Sequence, residues 1–230
     1  MRSHGWTEDD GEIISKNKVF YINNGVDLSK FDIDKTQCKR DDSDLNNPNT
    51  IKIIYIGSIR LANDVKQLID AASMLTHRSN IKFLIYGDGN DRELLVKYCI
   101  ENNINNVIFK EKRIPFNEVA YVASQATINV MNYAKNAGKY GMSAGKMFQY
   151  FAAGKPILCN VKLGYSDIRR YNLGIDRDLT TPQDYADAIL ELLSMTDEEY
   201  NEMCVRVRSV AHKFDYKVLS KQLLTIIEGL

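Results

Sequence analysis

The sequence predicts an α/β fold built on one doubly wound parallel sheet with helices on both of its faces. Two observations lead to this prediction. Short apolar runs of strand length alternate with longer amphipathic segments between Ile51 and Cys159. Each run is almost continuously apolar, which is typical of parallel strands because both of their faces are buried. A chain of 230 residues is long enough for one large domain of this kind.

The expected strands share runs of apolar and β-branched residues and are 18–22, Ile51–Ile56, Ile81–Tyr86, Val107–Phe109, Ile128–Met131 and Ile157–Cys159. Apolar residues at helical spacing predict helices between the strands, centred on 65–75, 94–99, 119–123 and 147–151. The polar stretch 1–17 is expected to be irregular. The stretch 35–50, rich in aspartate and asparagine, is expected to be an exposed linker.

Further helices are expected after the last strand, at 166–171, 182–193, 196–213 and Tyr216–Glu228. Two of them carry clear start signals. Thr181 is a suitable N-cap and Pro182 follows it at the first helical position. Thr196 and Glu199 have the spacing of a capping box. The last helix is amphipathic.

Composition and charge narrow the functional classes. Lysine plus arginine and aspartate plus glutamate both number 30, so no global field attracts nucleic acid or an anionic membrane. The four cysteines lie far apart without metal-ligand spacing, as is typical of free thiols in a reducing compartment. No apolar run approaches the roughly 20 residues of a membrane span, and no signal peptide is recognised. We therefore expect a cytoplasmic protein with at most peripheral membrane contact, no nucleic-acid partner and no metal site.

The stretch 140–160 is the most informative part of the sequence. It predicts a loop of small residues, a helix, a tight turn and a strand. Because the loop side chains are small or absent, a ligand can approach the backbone closely. Lys146 follows the loop at once, and Gly154 with Pro156 ends the helix. A helix that starts in such a loop presents unpaired N–H groups and a positive dipole end, which favour phosphate.

This stretch resembles the donor-binding signature of the retaining GT-B glycosyltransferases, in the large glycosyl transferases group 1 family. The similarity lies in Ser143, Lys146 and the run 148–156, FQYFAAGKP. It is greatest to the subgroup that makes bacterial cell-surface polysaccharides. Many family members carry two glutamates eight residues apart in this stretch. This chain has Gly141 and Gln149 at those places, so both acids are absent.

A second similarity lies near the N-terminus, where INNGVD at 22–27, followed by Phe31, resembles the start of the family's second domain. The resemblance implies that 18–230 form one Rossmann-like, nucleotide-sugar-binding domain, the C-terminal half of a GT-B fold. The donor would be a UDP- or GDP-linked sugar, with no separate cofactor and no metal. We also expect a missing N-terminal acceptor domain or a partner chain, which would meet the inner face of the membrane. This chain alone is expected to be inactive in transfer.

The resemblance assigns roles to loop residues at the carboxyl ends of the strands. Arg60 and Lys146 are expected to be catalytic, because they would stabilise the charge that grows on the leaving diphosphate. The expected donor-binding residues are small, polar or flexible and are Gly57, Ser58, Asn63, Gly87, Lys112, Met142, Ser143, Ala144, Gly145 and Gln149. Gln149 lies one turn after Lys146, so both can project from one helix face.

Two other functions fit parts of the sequence. A nucleotide-sugar epimerase shares the architecture, but it needs acid and base carboxylates in its cleft, and INNGVD argues against it. A degenerate domain kept for assembly with a partner chain is favoured by the absence of both glutamates. Single residues also have structural explanations. Arg60 fits a surface charge, Lys146 fits a solvated residue at a helix start, and Gly87 fits a tight turn.

Overall fold

The structure is a computed structural model that describes residues 19–38, 40–139 and 141–229. It confirms the predicted α/β fold. Six strands form one parallel sheet in the order β3-β2-β1-β4-β5-β6. The strands are β1 Ile51–Ile56, β2 Ile81–Tyr86, β3 Val107–Phe109, β4 Ile128–Met131, β5 Ile157–Cys159 and β6 Gly174–Asp176.

The helices of the described residues are α1 Leu28–Gln37, α2 Ser43–Asn46, α3 Val65–Met74, α4 Arg92–Glu101, α5 Phe116–Ser124, α6 Gly145–Ala153, α7 Asp167–Arg170, α8 Pro182–Leu193, α9 Asp197–Ala211 and α10 Tyr216–Glu228. Short 3₁₀ helices lie at Leu61–Asn63 and His212–Phe214. No helix in the described ranges is both long and apolar enough to cross a membrane.

The strand order determines where a ligand can bind. Strand β1 lies between β2 and β4. From β1 the chain continues through β2 to β3 on one side of the sheet, and then adds β4, β5 and β6 on the other side. Open parallel sheets bind ligands outside the carboxyl ends of the strands, at such a switch point. The loop after β1 and the loop that joins β4 to α6 both start at this edge of the sheet.

Alternate residues of the central strands enter separate cores on the two faces of the sheet. Ile53 and Tyr55 belong to the larger cluster of buried side chains, and Ile54 belongs to the smaller one. Helix α6 is anchored in the larger cluster by its apolar residues. Its Tyr150 is fully buried, and the hydroxyl oxygen of Tyr150 accepts a hydrogen bond from the Ile56 N–H at 3.0 Å. This anchoring fixes the start of α6 beside the end of β1.

The strand expected at 18–22 is wrong for the part that the structure describes. Residues 19–25 have no regular secondary structure, and a single bridge pairs Val26 with Asp215. Val26 donates to the Phe214 carbonyl at 2.9 Å and accepts from the Tyr216 N–H at 3.0 Å. The segment therefore docks on the start of α10 and not on a sheet edge. The irregular segment expected at 1–17 lies outside the described residues.

The exposed linker expected at 35–50 is also wrong in part. Helix α1 occupies its beginning, and α2 lies within it. Leu45 in α2 is fully buried in the smaller core cluster. Asp42 caps α2 and pairs with Lys110 at 2.7 Å. The acidic residues here serve as a cap and an ion-pair partner, so a polar composition did not mean solvent exposure.

The C-terminal predictions hold with small shifts. The caps of α8 and α9 at Thr181 and Thr196 both form capping boxes. Helix α9 ends at Ala211 and passes into a 3₁₀ turn, and α7 is shorter than the predicted helix 166–171. Strand β6 was not predicted, because three residues that include Gly174 give too little apolar pattern to recognise.

Candidate functional site

The loops after β1 and β2 touch backbone to backbone. Gly87 has φ +142°, and a Cβ there would lie 1.8 Å from the carbonyl oxygen of Gly57. Gly89 has φ +155°, and its Cβ would lie 2.1 Å from the carbonyl oxygen of Ile59. Both positions therefore require glycine. The contact brings Gly57 and Gly87, which were predicted together, to one edge of the sheet.

The loop after β4 is tied to the loop after β1 by Asn132, which is fully buried. Its side-chain amide donates to the carbonyl of Asn63 at 2.7 Å, and its oxygen accepts from the Tyr185 hydroxyl at 2.7 Å. Asn63 thus contributes a backbone carbonyl to the architecture of the site. The predicted contact of its side chain with a donor stays a prediction.

Helix α6 starts at this edge without a side-chain cap. Its N-cap is Ala144, which makes no capping hydrogen bond, and its first residue is Gly145. The first N–H groups of a helix have no partner within the helix. Together with the positive dipole end, they favour an anion. At the other end Gly154 adopts φ +65°, as predicted for a terminating glycine.

Lys146 is the most unusual charged residue of the site. The residue keeps some exposed surface, but its Nζ atom is buried and has no hydrogen-bond partner within the described residues. Nζ lies 4.6 Å from the ring centre of Tyr55 and 5.4 Å from that of Tyr133. A Cβ on Gly57 would lie 2.6 Å from Nζ. Burial lowers the pKa of Lys146 to about 8. The ammonium group therefore lies against two rings, and the described part of the chain offers it no counter-ion.

Tyr133 adds a second unsatisfied group to this part of the site. Its hydroxyl oxygen is buried and has no hydrogen-bond partner within the described residues. Burial raises the pKa of this hydroxyl, so it stays protonated and can donate a hydrogen bond. The Tyr55 hydroxyl, by contrast, donates to the carbonyl of Ser58 at 2.6 Å. This bond holds the Tyr55 ring beneath Lys146.

Arg60 lies three residues after Gly57, just before the 3₁₀ turn, and is exposed. Within the described residues its guanidinium has no hydrogen bond and no ion pair. Its Cγ atom packs beside Gly89, where a Cβ would come within 3.0 Å of it. The stem is thus supported by the glycine loop, and the charged group remains available to a ligand.

Other predicted residues are already engaged in structural contacts. Lys112 forms an ion pair with Glu93 at 3.0 Å on an exposed surface. Met142 packs against the larger core cluster. The Ser143 hydroxyl accepts the N–H of Asn24 at 3.0 Å and donates to Asn23 at 2.9 Å. The side chain of Ser143 thus holds the N-terminal segment in place.

The structure does not bring Gln149 to the same surroundings as Lys146. Gln149 lines a crevice of about 70 Å³ together with Phe31 of α1 and Phe116 of α5. Gly141 has φ +99°, and a Cβ there would lie 2.9 Å from the Cβ of Tyr165. The place of one missing glutamate is therefore a position that favours glycine in this chain.

Sequence reasoning missed Tyr55, Tyr133 and Asn24. Tyr55 lies in a predicted strand and Tyr133 follows another, and nothing in local spacing shows that their rings meet Lys146. Asn24 was read only as part of a motif. Its contact with Ser143 spans 119 residues of sequence, which no local pattern can reveal.

Known proteins are similar to this chain in sequence pattern and in fold. The sequence model of the family described as glycosyl transferases group 1 matches residues 39–210. No curated protein matches the chain significantly. The chain is similar to WaaG, a glycosyltransferase involved in lipopolysaccharide biosynthesis, with a TM-score of 0.68 and 16% identity over 94% of this chain and 58% of that one.

Two further solved structures are similar. HepE of Anabaena in complex with UDP and glucose has a TM-score of 0.69 and 16% identity, over 97% of this chain and 60% of that one. Sucrose-phosphate synthase from Thermosynechococcus elongatus has a TM-score of 0.74 and 16% identity, over 99% of this chain and 56% of that one. The chain thus spans little more than half the length of these structures.

At this identity the solved structures establish the fold: they are similar to this chain across nearly all of its length. The family match is independent of them and covers well over half of the 230 residues. The chain therefore belongs to the glycosyl transferases group 1 family.

Proposed function

We propose that this chain is the donor-binding domain of a retaining glycosyltransferase and binds a UDP- or GDP-linked sugar. One observation carries the proposal. The Nζ atom of Lys146 is buried and has no partner among the described residues; it lies at the uncapped start of α6, beside the loop that follows β1. This is the switch point of the sheet, where such folds bind ligands.

Among the described residues, no negatively charged group balances the ammonium group of Lys146. Burying an unpaired ammonium costs on the order of several kcal/mol, so such a group needs a compensating function. The tyrosine rings offset part of this cost, by roughly 0.5–2 kcal/mol per cation–π contact. A diphosphate in front of α6 would supply the rest through charge-assisted hydrogen bonds. The same contacts would stabilise the leaving group as the glycosidic bond breaks.

Arg60 is the second cation of the proposal. A guanidinium matches the geometry of phosphate and can bind it through two hydrogen bonds. Because Arg60 and the Gly57 backbone belong to one loop, and Gly57 lies against Lys146, both cations can serve one diphosphate. We propose that these two cations make a metal unnecessary for donor binding.

The wider assignment rests on the family and on the similar proteins. The structure of HepE contains UDP and glucose, and WaaG is involved in lipopolysaccharide biosynthesis. We therefore propose a role in cell-surface polysaccharide biosynthesis at the cytoplasmic face of the membrane, with hexose transfer as the reaction. An acceptor domain or partner chain would complete the enzyme. The retaining mechanism is proposed because residues 143–156 resemble the donor-binding signature of retaining GT-B glycosyltransferases.

Calorimetric titration with UDP and with GDP tests the proposal. Lys146→Met should weaken binding at least tenfold, since a hydrogen bond to a charged group is worth about 1.5–3 kcal/mol. Lys52→Met is the matched control. Lys52 is also a buried lysine, but it lies in the first half of β1 and donates to the Asn47 carbonyl at 2.7 Å. Its substitution should leave affinity unchanged.

Two outcomes would contradict the proposal. Equal affinity of the wild type and Lys146→Met would place the nucleotide elsewhere on the molecule. A wild-type chain that binds neither UDP nor GDP would favour the degenerate assembly domain over a donor site.

A further inference from the structure

We propose that Asn24 is a further donor-binding residue, whose side-chain amide donates hydrogen bonds to a phosphate oxygen at the start of α6. The inference rests on the proposed function and deepens it. Asn24 lies about 120 residues from the α6 loop in sequence, and it reaches the site only because the segment 23–26 folds back across the domain.

The position of the amide is the first observation. The Nδ2 atom of Asn24 lies 3.7 Å from where a Cβ on Gly145 would be. No other atom of the described residues lies within 4 Å of that point, apart from atoms of Gly145, its two chain neighbours and the backbone of α6. No other described residue fills the space beside Gly145, so a ligand there would contact both the helix start and Asn24.

The orientation of the amide is the second observation. Its oxygen accepts the N–H of Gly25 at 2.8 Å and the hydroxyl of Tyr216 at 3.1 Å. A backbone N–H can only donate, so this end of the side chain must be the oxygen. The nitrogen therefore faces α6, and its N–H groups have no acceptor within the described ranges.

The segment that carries Asn24 is fixed from three sides. The Asn24 N–H donates to the Ser143 hydroxyl at 3.0 Å. Two residues later, Val26 pairs with Asp215 at the start of α10. A Cβ on Gly25 would lie 2.3 Å from the Phe214 carbonyl, so the backbone packs too closely for a side chain. The amide is thus preorganised, which reduces the entropy lost when a ligand binds.

The local chemistry selects an anion. The free amide of Asn24, the first N–H groups of α6 and the Nζ of Lys146 are all donors. A nucleoside diphosphate offers several acceptor oxygens and negative charge, and it matches a surface of donors. Asn24 would hold one phosphate oxygen on the side of the helix start that faces α10.

The test substitution is Asn24→Asp. Aspartate keeps the shape of the side chain and the oxygen that accepts from Gly25 and Tyr216, but it replaces the two N–H donors with a carboxylate oxygen. We expect the affinity for UDP and GDP to fall at least tenfold while the melting temperature stays close to that of the wild type. Asn105→Asp is the charge-matched control, because Asn105 is exposed beside β3, at an edge of the sheet. It should bind as the wild type does.

A second measurement uses the wild-type chain and so does not depend on the folding of a variant. The side-chain amide resonances of Asn24 should shift on addition of UDP in ¹⁵N NMR spectra. The proposal is overturned if UDP binds and these resonances do not move, or if Asn24→Asp binds UDP as tightly as the wild type. A wild type that binds no nucleotide would instead overturn the proposed function.

Discussion

Burial of the Lys146 ammonium group lowers the stability of the folded chain, and we propose that the same group binds the donor. Burial lowers its pKa to about 8, from about 10.5 for an ordinary lysine. The protonated form is therefore less stable in the folded chain than in the unfolded chain. Between these two pH values the unfolded chain binds more protons, so this residue's contribution to stability rises with pH. Well below pH 8 the full penalty applies, and the shift corresponds to about 3 kcal/mol.

Lys146→Met should accordingly stabilise the ligand-free domain at pH 7 by about 1–3 kcal/mol, because a similar apolar side chain removes the unpaired charge. The gain should shrink as pH rises from 8 towards 10, where the lysine becomes neutral. Urea unfolding of both proteins at pH 7, 8.5 and 9.5 measures this difference. Tyr55, Tyr133 and Cys159 face the same space, and burial raises the pKa of each. Their titration is common to both proteins and cancels in the comparison.

A variant that is less stable than the wild type at pH 7, or a difference that does not change with pH, would show that Lys146 is not a destabilised cation. The position of Lys146 at a helix start could be predicted from sequence, because a lysine directly follows a loop of small residues there. The depth of its burial could not, since it depends on Tyr55 and Tyr133, which distant parts of the chain supply.

At the scale of elements, helix α2 shows how a polar sequence can hide a packed segment. Leu45 is fully buried among residues of β1, β2 and α5, although aspartates and asparagines surround it in sequence. Ion pairs of Lys110 with Asp42 and Asp44, both at 2.7 Å, hold the segment against the loop after β3.

Leu45→Ala should therefore destabilise the domain by about 2–5 kcal/mol, the range for truncating a buried leucine side chain to alanine. Leu94→Ala is the control, because Leu94 is 69% exposed on α4. It should change stability by less than about 0.5 kcal/mol. Chemical denaturation of both variants measures their free energies of unfolding and so compares the two substitutions. If both substitutions lowered the free energy of unfolding by equally small amounts, residues 40–46 would belong to the exposed linker that the sequence predicts at 35–50.

The elements with strong local signals were predicted correctly. Strands β1 to β5 are runs of apolar residues whose bounds can be read directly, and the caps at Thr181 and Thr196 mark helix starts. The failures depend on long-range contacts. The apolar run at 19–22 is typical of a strand, yet the chain next to it pairs with the start of α10. One leucine among acids gives no periodicity, so α2 was missed.

At the scale of the whole molecule, the sequence predicted the alternation of strands and helices but not the strand order. The order places β1 beside β4 and so brings the loops at 57–63 and 132–144 to one edge. That arrangement, with the family match, supports the proposed donor site at this edge. This chain covers 56–60% of the length of the similar solved structures.

We expect that residues 1–230 alone transfer no sugar, because the proposed site on this domain binds only the donor. Incubation with UDP- and GDP-sugars and lipid acceptors should give no product above background, while UDP or GDP still binds. Product formation by the isolated chain would show that the described domain contains its own acceptor site.

The central claim is that a nucleoside diphosphate binds where the loop after β1 meets the start of α6. The most direct test is a UDP titration of the ¹⁵N-labelled chain followed by NMR. The claim predicts saturable shifts that are largest for the amides at 57–60, 87–89 and 143–146. A cleft of about 460 Å³, lined by Val96, Ile100 and Val107, lies between α4 and the edge strand β3. Shifts confined to that cleft, or no saturable shifts at all, would contradict the claim.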